Sequence, residues 1–172
     1  METIESIENQ PSQKEPRPSF LTVLSILSFI FIGFSILFGL FGIATGPMNA
    51  DQLLESSVQI SKSADEMRSL DMESFAVMME QIGRMTVSIN NHFYVNGILS
   101  LVVMITGLIG VIKMMQGHKI GFHLYIIYSL ITIGQLYIFV SPADIPSFVV
   151  IWNLVISGIF VLMYSRNLKW LK

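Results

Sequence analysis

From Pro18 to Ala50 the chain runs 33 residues without one charged side chain. A helix rises about 1.5 Å per residue, so about 20 apolar residues cross a hydrocarbon core about 30 Å thick. This run is long enough to span with room for tilt. Composition agrees: the chain has 172 residues, 52% hydrophobic and only 13% charged, with mean hydropathy +0.64. Globular domains carry about 25% charge, so the deficit points to an integral membrane protein. A net charge of −2 points away from a nucleic-acid partner. Cysteine is absent, which removes disulfides, thiolate nucleophiles and cysteine metal sites.

Residues 1–17 are polar and read as a short disordered cytosolic tail. The charge-free run then predicts a retained helix from about Ser19 to Thr45. On one side of it, Ser25, Ser28, Ile32, Ser35, Gly39, Gly42 and Gly46 recur at alternating spacings of three and four. In lipid, helices associate by close packing, and small residues let backbones approach. This stripe is therefore expected to be a helix-packing face. Phe29, Phe31, Phe34, Phe38 and Phe41 fill the other side and suit lipid or an apolar neighbour.

Gly46-Pro47 ends the span, and Asn49 or Asp51 is placed to cap a new helix. Residues 48–89 form the sizeable extramembrane part, with seven acids and three bases. Its good helix formers predict helix. Ser63-Ala64-Asp65-Glu66 reads as a capping box, placing a break near residue 62. Phe75, Met78, Ile82, Met85 and Ile89 then follow helical spacing, and the same phase runs on through His92, Asn96, Leu99, Val103, Thr106 and Gly110. The unbroken phase predicts one helix from about Ala64 to Met115, part aqueous and part spanning, the alternative being a short surface helix followed by a separate span from about Phe93. Five large apolar residues outside the membrane favour burial by roughly 1.5–3 kcal/mol each, so they are expected to meet a partner surface.

Further spans are expected at about 93–112, 120–140 and 147–164, joined by short connections. The expected fold is all-α: a polytopic four-helix membrane domain over residues 18–172, with an outer helical segment at 48–92. Lys14, Arg17, Lys113, Lys119, Arg166, Lys169 and Lys172 lie on one side of this scheme, against Lys62, Arg68 and Arg84 on the other. Basic residues favour the cytosolic side, which predicts both termini in the cytosol.

Candidate chemistry is sparse. His92, Asn96 and Ser100 fall on one helix face near the outer mouth of the second span. With Tyr125, Tyr128, Thr132, Gln135, Asn153 and Ser157 they form a polar bundle face, whose commonest use is hydrogen bonding between helices. No Asp, Glu, Lys or Arg lies inside a span, which argues against an ion-coupled carrier. His92 sits near the outer side, His118 and His123 near the inner, so no pair stands at one depth to ligate haem. The sequence holds no catalytic motif, metal-ligand spacing or cofactor fingerprint.

The segment Arg17-Pro-Ser-Phe-Leu-Thr-Val-Leu24, with the four-span plan, resembles small bacterial membrane proteins of unassigned function. That resemblance implies a bacterial inner membrane and no particular activity. The expected function is non-enzymatic: a structural, assembly or interaction subunit recognising a membrane-protein partner, or a second copy of itself, through the outer segment. The alternative is a small oligomeric channel or facilitator using the polar faces of spans two to four.

Overall fold

The computed structural model describes residues 16–172, so most of the expected tail lies outside the described residues. The helices are α1 (Ser19–Thr45), α2 (Ala50–Ser69), α3 (Glu73–Asn91), α4 (Phe93–Met115), α5 (Ile120–Gly134), α6 (Leu136–Phe139) and α7 (Ser147–Ser165). A single 3-10 turn, Pro142–Asp144, precedes α7. No strand occurs among the described residues. Four units are long and apolar enough to cross a membrane: α1, α4, the joined α5–α6 stretch Ile120–Phe139, and α7. The protein is an all-α polytopic membrane protein. Helices satisfy their own backbone hydrogen bonds, as a segment in hydrocarbon must.

Local chemistry explains most of the helix ends. Gly46 stops α1 with φ +81°, a left-handed conformation open to glycine, and its N–H still reaches the Gly42 carbonyl. Asn49 then starts α2 with a reciprocal capping box: its Oδ1 accepts from Gln52 N–H, and Gln52 Oε1 accepts from Asn49 N–H.

The expected break near residue 62 is absent. The Asn49 box has already started the helix, and α2 runs through Ser63–Glu66 to Ser69 because Ala64 is buried against α3. The real turn lies at Leu70–Met72. There the Met72 N–H bonds the Met67 carbonyl and the Asp71 N–H bonds the Arg68 carbonyl, a Schellman closure. Asp71 takes the left-handed position usually held by glycine, at φ 58°.

The helix expected from Ala64 to Met115 is likewise corrected. It begins at Glu73 and is interrupted once, at His92 (φ −115°, ψ 25°). Asn90, Asn91 and His92 are weak helix formers. The Asn90 amide is also drawn sideways, accepting from Met48 N–H and donating to the Met48 carbonyl at the α1–α2 crossover.

The α2–α3 hairpin closes through small residues. Ala64 and Ala76 are fully buried, and a Cβ on Gly83 would sit 3.2 Å from Ile60. Arg68 ties the two helices together, reaching Asp65 and Glu73 at 3.4 Å and Glu80 at 2.6 Å. The Glu80 hydrogen bond, then its charge, raises the Arg68 pKa above its ordinary value.

The hairpin also docks on the connection before α7. Gln81 donates to the Ala143 carbonyl, Arg84 pairs with Asp144, and the His92 ring lies 5.7 Å from that of Phe139. From His92 to Arg84 is about two helical turns, so the connection climbs about 12 Å along α3. Val140, Ile145 and Pro146 are buried there.

In the bundle, burial concentrates toward the end that carries the last residues of the chain. Leu21, Leu24 and Ile32 of α1 pack with Val111 and Met114 of α4, Phe122 of α5 and Tyr164 of α7. The closest helix pair is α4–α5: a Cβ on Gly121 would lie 2.5 Å from the Gly110 carbonyl oxygen and from Met114 N. A Cβ on Gly107 would lie 2.8 Å from the Tyr128 ring. These glycines let two backbones meet. Toward the other end the helices loosen, and Phe31, Phe34, Phe38 and Phe41 of α1 are exposed, as lipid-facing residues would be. Phe29 meets an apolar neighbour instead of lipid: it is half-buried and packs against the core.

Candidate functional site

Two features stand out once the fold is in place: an apolar stripe on α3 outside the bundle, and a cavity inside it.

The stripe is the set Phe75, Met78, Ile82, Met85 and Ile89. Ala76, Gly83 and Asn90 turn toward α2 and its approach, and Gln81 and Arg84 toward the α7 connection. At about 100° per residue, the five apolar side chains fall on a third side of the helix, between the α2-facing side and the side that meets the α7 connection. Phe75 is exposed, and the other four are half-buried. The chain by itself therefore covers this stripe only in part. The hairpin as a whole is acidic, its 48–89 segment holding seven acids against three bases. Arg68 and Arg84 are held in ion pairs, whereas among the described residues no ion pair involves Asp51, Glu55, Glu66 or Asp71.

The residues of the polar bundle face separate into three groups. Gln135 closes the outer part: its Nε2 donates to Asn96 Oδ1 at 2.8 Å and also meets the Asn96 carbonyl and Ser100 Oγ. His92 is exposed at the helix interruption, with Nδ1 against the Ser88 carbonyl. Tyr128 and Asn153 belong to the interior, where Tyr128 packs on Tyr125 with ring centroids 5.4 Å apart.

The small-residue stripe of α1 divides in the same way. Ser28 is buried in the bundle core. Ser35 is half-buried and bonds back to the Phe31 carbonyl. A Cβ on Gly39 would meet only the flexible end of Leu101, at 3.2 Å, and one on Gly42 would meet nothing within 4 Å. Gly46 lies beyond the helix, beside the Tyr94 hydroxyl. Gly42 is thus not a packing glycine within this chain. The backbone-to-backbone approach expected of α1 occurs between α4 and α5 instead.

The cavity lies between α1, α4, α5 and α7 and measures about 370 Å³. Ser28, Tyr125 and Tyr128 border it on the side of the core; Thr132, Asn153 and Ser157 supply its further polar groups. Leu27, Phe31, Ile156 and Phe160 make up much of its apolar wall. Its base is closed by a contact that sequence reasoning missed. Tyr164, fully buried, shares a 2.9 Å hydrogen bond with Ser28, and its ring lies 4.8 Å from Tyr125. In sequence Tyr164 stands at the end of a span, where an aromatic reads as an interfacial anchor. Ser129 was missed as well: it borders the cavity, is 5% exposed, and its Oγ has no hydrogen-bond partner.

Comparison with protein-family models, curated proteins and solved structures finds no match to this chain.

Proposed function

We propose that this protein is a non-enzymatic interaction or assembly subunit of a bacterial inner membrane, which presents α3 to a partner. Both termini face the cytosol in this reading, and the α2–α3 hairpin stands on the opposite side. The observation that carries it is the apolar stripe of α3, of which Phe75 is exposed and Met78, Ile82, Met85 and Ile89 are only half-buried. Water makes burial of such a stripe favourable, by roughly 1.5–3 kcal/mol for each large side chain. The helix that carries it is braced on two other sides, so its geometry is set before any partner arrives, and less ordering is needed on binding.

The surrounding charge selects the partner. A second copy would bring another hairpin whose 48–89 segment holds seven acids against three bases. Like charges across an interface oppose association. The reading therefore favours a membrane protein with an apolar helix flanked by basic residues. Methionine supplies two of the five stripe residues and adapts to varied surfaces.

The test is in-membrane crosslinking of the full chain in its native host, comparing wild type with the double variant Met78→Asp and Ile82→Asp. The expected result is loss of the partner crosslink with insertion unchanged. A wild-type crosslinking pattern in the double variant would overturn the reading.

A further inference from the structure

We propose that the cavity between α1, α4, α5 and α7 binds an uncharged, ring-bearing lipid with carbonyl or hydroxyl oxygens, a molecule of the quinone class, admitted sideways from the bilayer. Binding alone is proposed.

Depth is the first argument. Ser28 lies nine residues into α1 and Thr132 twelve residues into α5, counting from one face; Asn153 lies six residues into α7 from the other. At 1.5 Å per residue these are depths of about 14, 18 and 9 Å in a core about 30 Å thick. The polar groups therefore cluster in the middle of the hydrocarbon. A glycerolipid keeps its ester and headgroup oxygens near the membrane surface and cannot reach them. A lipid that dissolves whole in the hydrocarbon can.

Charge is the second. No Asp, Glu, Lys, Arg or His borders the cavity. An ionised ligand would be desolvated there without a counter-charge, which is strongly unfavourable. The ligand is therefore neutral.

Unused hydrogen-bonding capacity is the third. Asn153 donates to the Val149 carbonyl through Nδ2, which leaves its second amide hydrogen and its oxygen for another group. Polar groups inside a bundle are normally satisfied, so an amide with spare capacity on an open cavity points to an occupant. Oxygens on a ring suit this set, and the rings of Tyr125, Tyr128 and Phe160 offer flat apolar surface beside it.

Access is the fourth. Between α1 and α7 the Ser28–Tyr164 bond lies at the base of the cavity, while Leu27, Phe31 and Ile156 at its sides are exposed. The volume, about 370 Å³, lies within the range of small-molecule sites and holds a ring with its tail left in lipid.

The experiment uses the full chain in lipid nanodiscs and radiolabelled decylubiquinone, with empty nanodiscs as background. A saturable component of one molecule per chain is expected. Ser157→Phe fills the cavity and Asn153→Leu removes its amide; each is expected to weaken binding at least about tenfold, equivalent to about 1.4 kcal/mol. Asn153→Leu keeps the same number and branching of heavy atoms, so it keeps the test decisive if Ser157→Phe does not fold. Unlabelled dioleoylglycerol is expected not to compete. The proposal is overturned by the lack of a saturable component, by wild-type affinity in Asn153→Leu, or by competition from dioleoylglycerol equal to that of unlabelled quinone.

Discussion

Tyr164 and Ser28 share a buried 2.9 Å hydrogen bond that joins the last spanning helix to the first, 136 residues away in sequence. Tyr164→Phe keeps the ring and removes the bond, leaving the serine hydroxyl unpaired. The expected loss is about 1 kcal/mol, in the range found for hydrogen bonds between membrane helices. Thermal unfolding in mild detergent measures it. A double-mutant cycle with Ser28→Ala should return most of that loss as coupling between the two residues.

Glycine substitutions separate real backbone contact from empty space. Gly121→Ala places a methyl group 2.5 Å from the Gly110 carbonyl oxygen, where only a shift of α4 against α5 can relieve it. The expected destabilisation is about 1–3 kcal/mol or more. Gly42→Ala meets nothing within 4 Å and is expected to match wild type. Equal melting of the two variants would show that the α4–α5 approach is not structural.

Asp71 holds the left-handed turn of the hairpin at φ 58°. Asp71→Gly removes that penalty but enlarges the unfolded ensemble, for an expected net gain of about 0.5–1 kcal/mol. Slower amide exchange across α2 and α3 is the readout.

Arg84 and Asp144 fasten the hairpin to the connection before α7, with Arg84 about half exposed. Arg84→Ala is expected to change global stability by less than about 1 kcal/mol, as exposed pairs do. It is nevertheless expected to raise amide exchange in α3 and proteolysis near Ala143. The charge-reversed pair, Arg84→Asp with Asp144→Arg, should restore protection, and high salt should weaken it in wild type.

Orientation is testable with reporters fused at the N-terminus, near Gly117, at Lys62 and at Lys172. The first, second and fourth are expected to report the cytosol, and Lys62 the opposite side, because seven bases stand against three. A cytosolic reporter at Lys62 would sink the orientation.

The spans are legible in the sequence because hydrocarbon imposes one local requirement, an apolar run of sufficient length. That requirement locates α1, α4, the α5–α6 stretch and α7 to within a few residues. Contacts between helices obey no such local rule. Gly42, in a formal GxxxG, faces open space, whereas Gly107, Gly110 and Gly121 carry the tightest packing. Folding the α4–α5 hairpin about residues 116–117 sets Gly110 beside Gly121 and Gly107 beside Tyr128, so that part was readable from the turn. The break at residue 62 was misplaced because Ser63-Ala64-Asp65-Glu66 is as compatible with a helix interior as with a helix start. Only burial of Ala64 by α3 decides between them. The cavity escaped sequence reading because it depends on four helices at once and on Tyr164, whose position at a helix end suggests the opposite environment.

Tyr164 is the one buried residue of α7. Elsewhere the helix packs on protein only in part, through half-buried residues such as Phe160 and Val161, and exposes much of its surface to lipid, a deformable support. A helix longer than its hydrocarbon slab tilts, and one in a thicker slab stands upright. The spacing between α7 and α1 is then set jointly by the chain and by the thickness of its membrane. Acyl-chain length becomes a control on the protein's shape, exerted with no ligand and no covalent change.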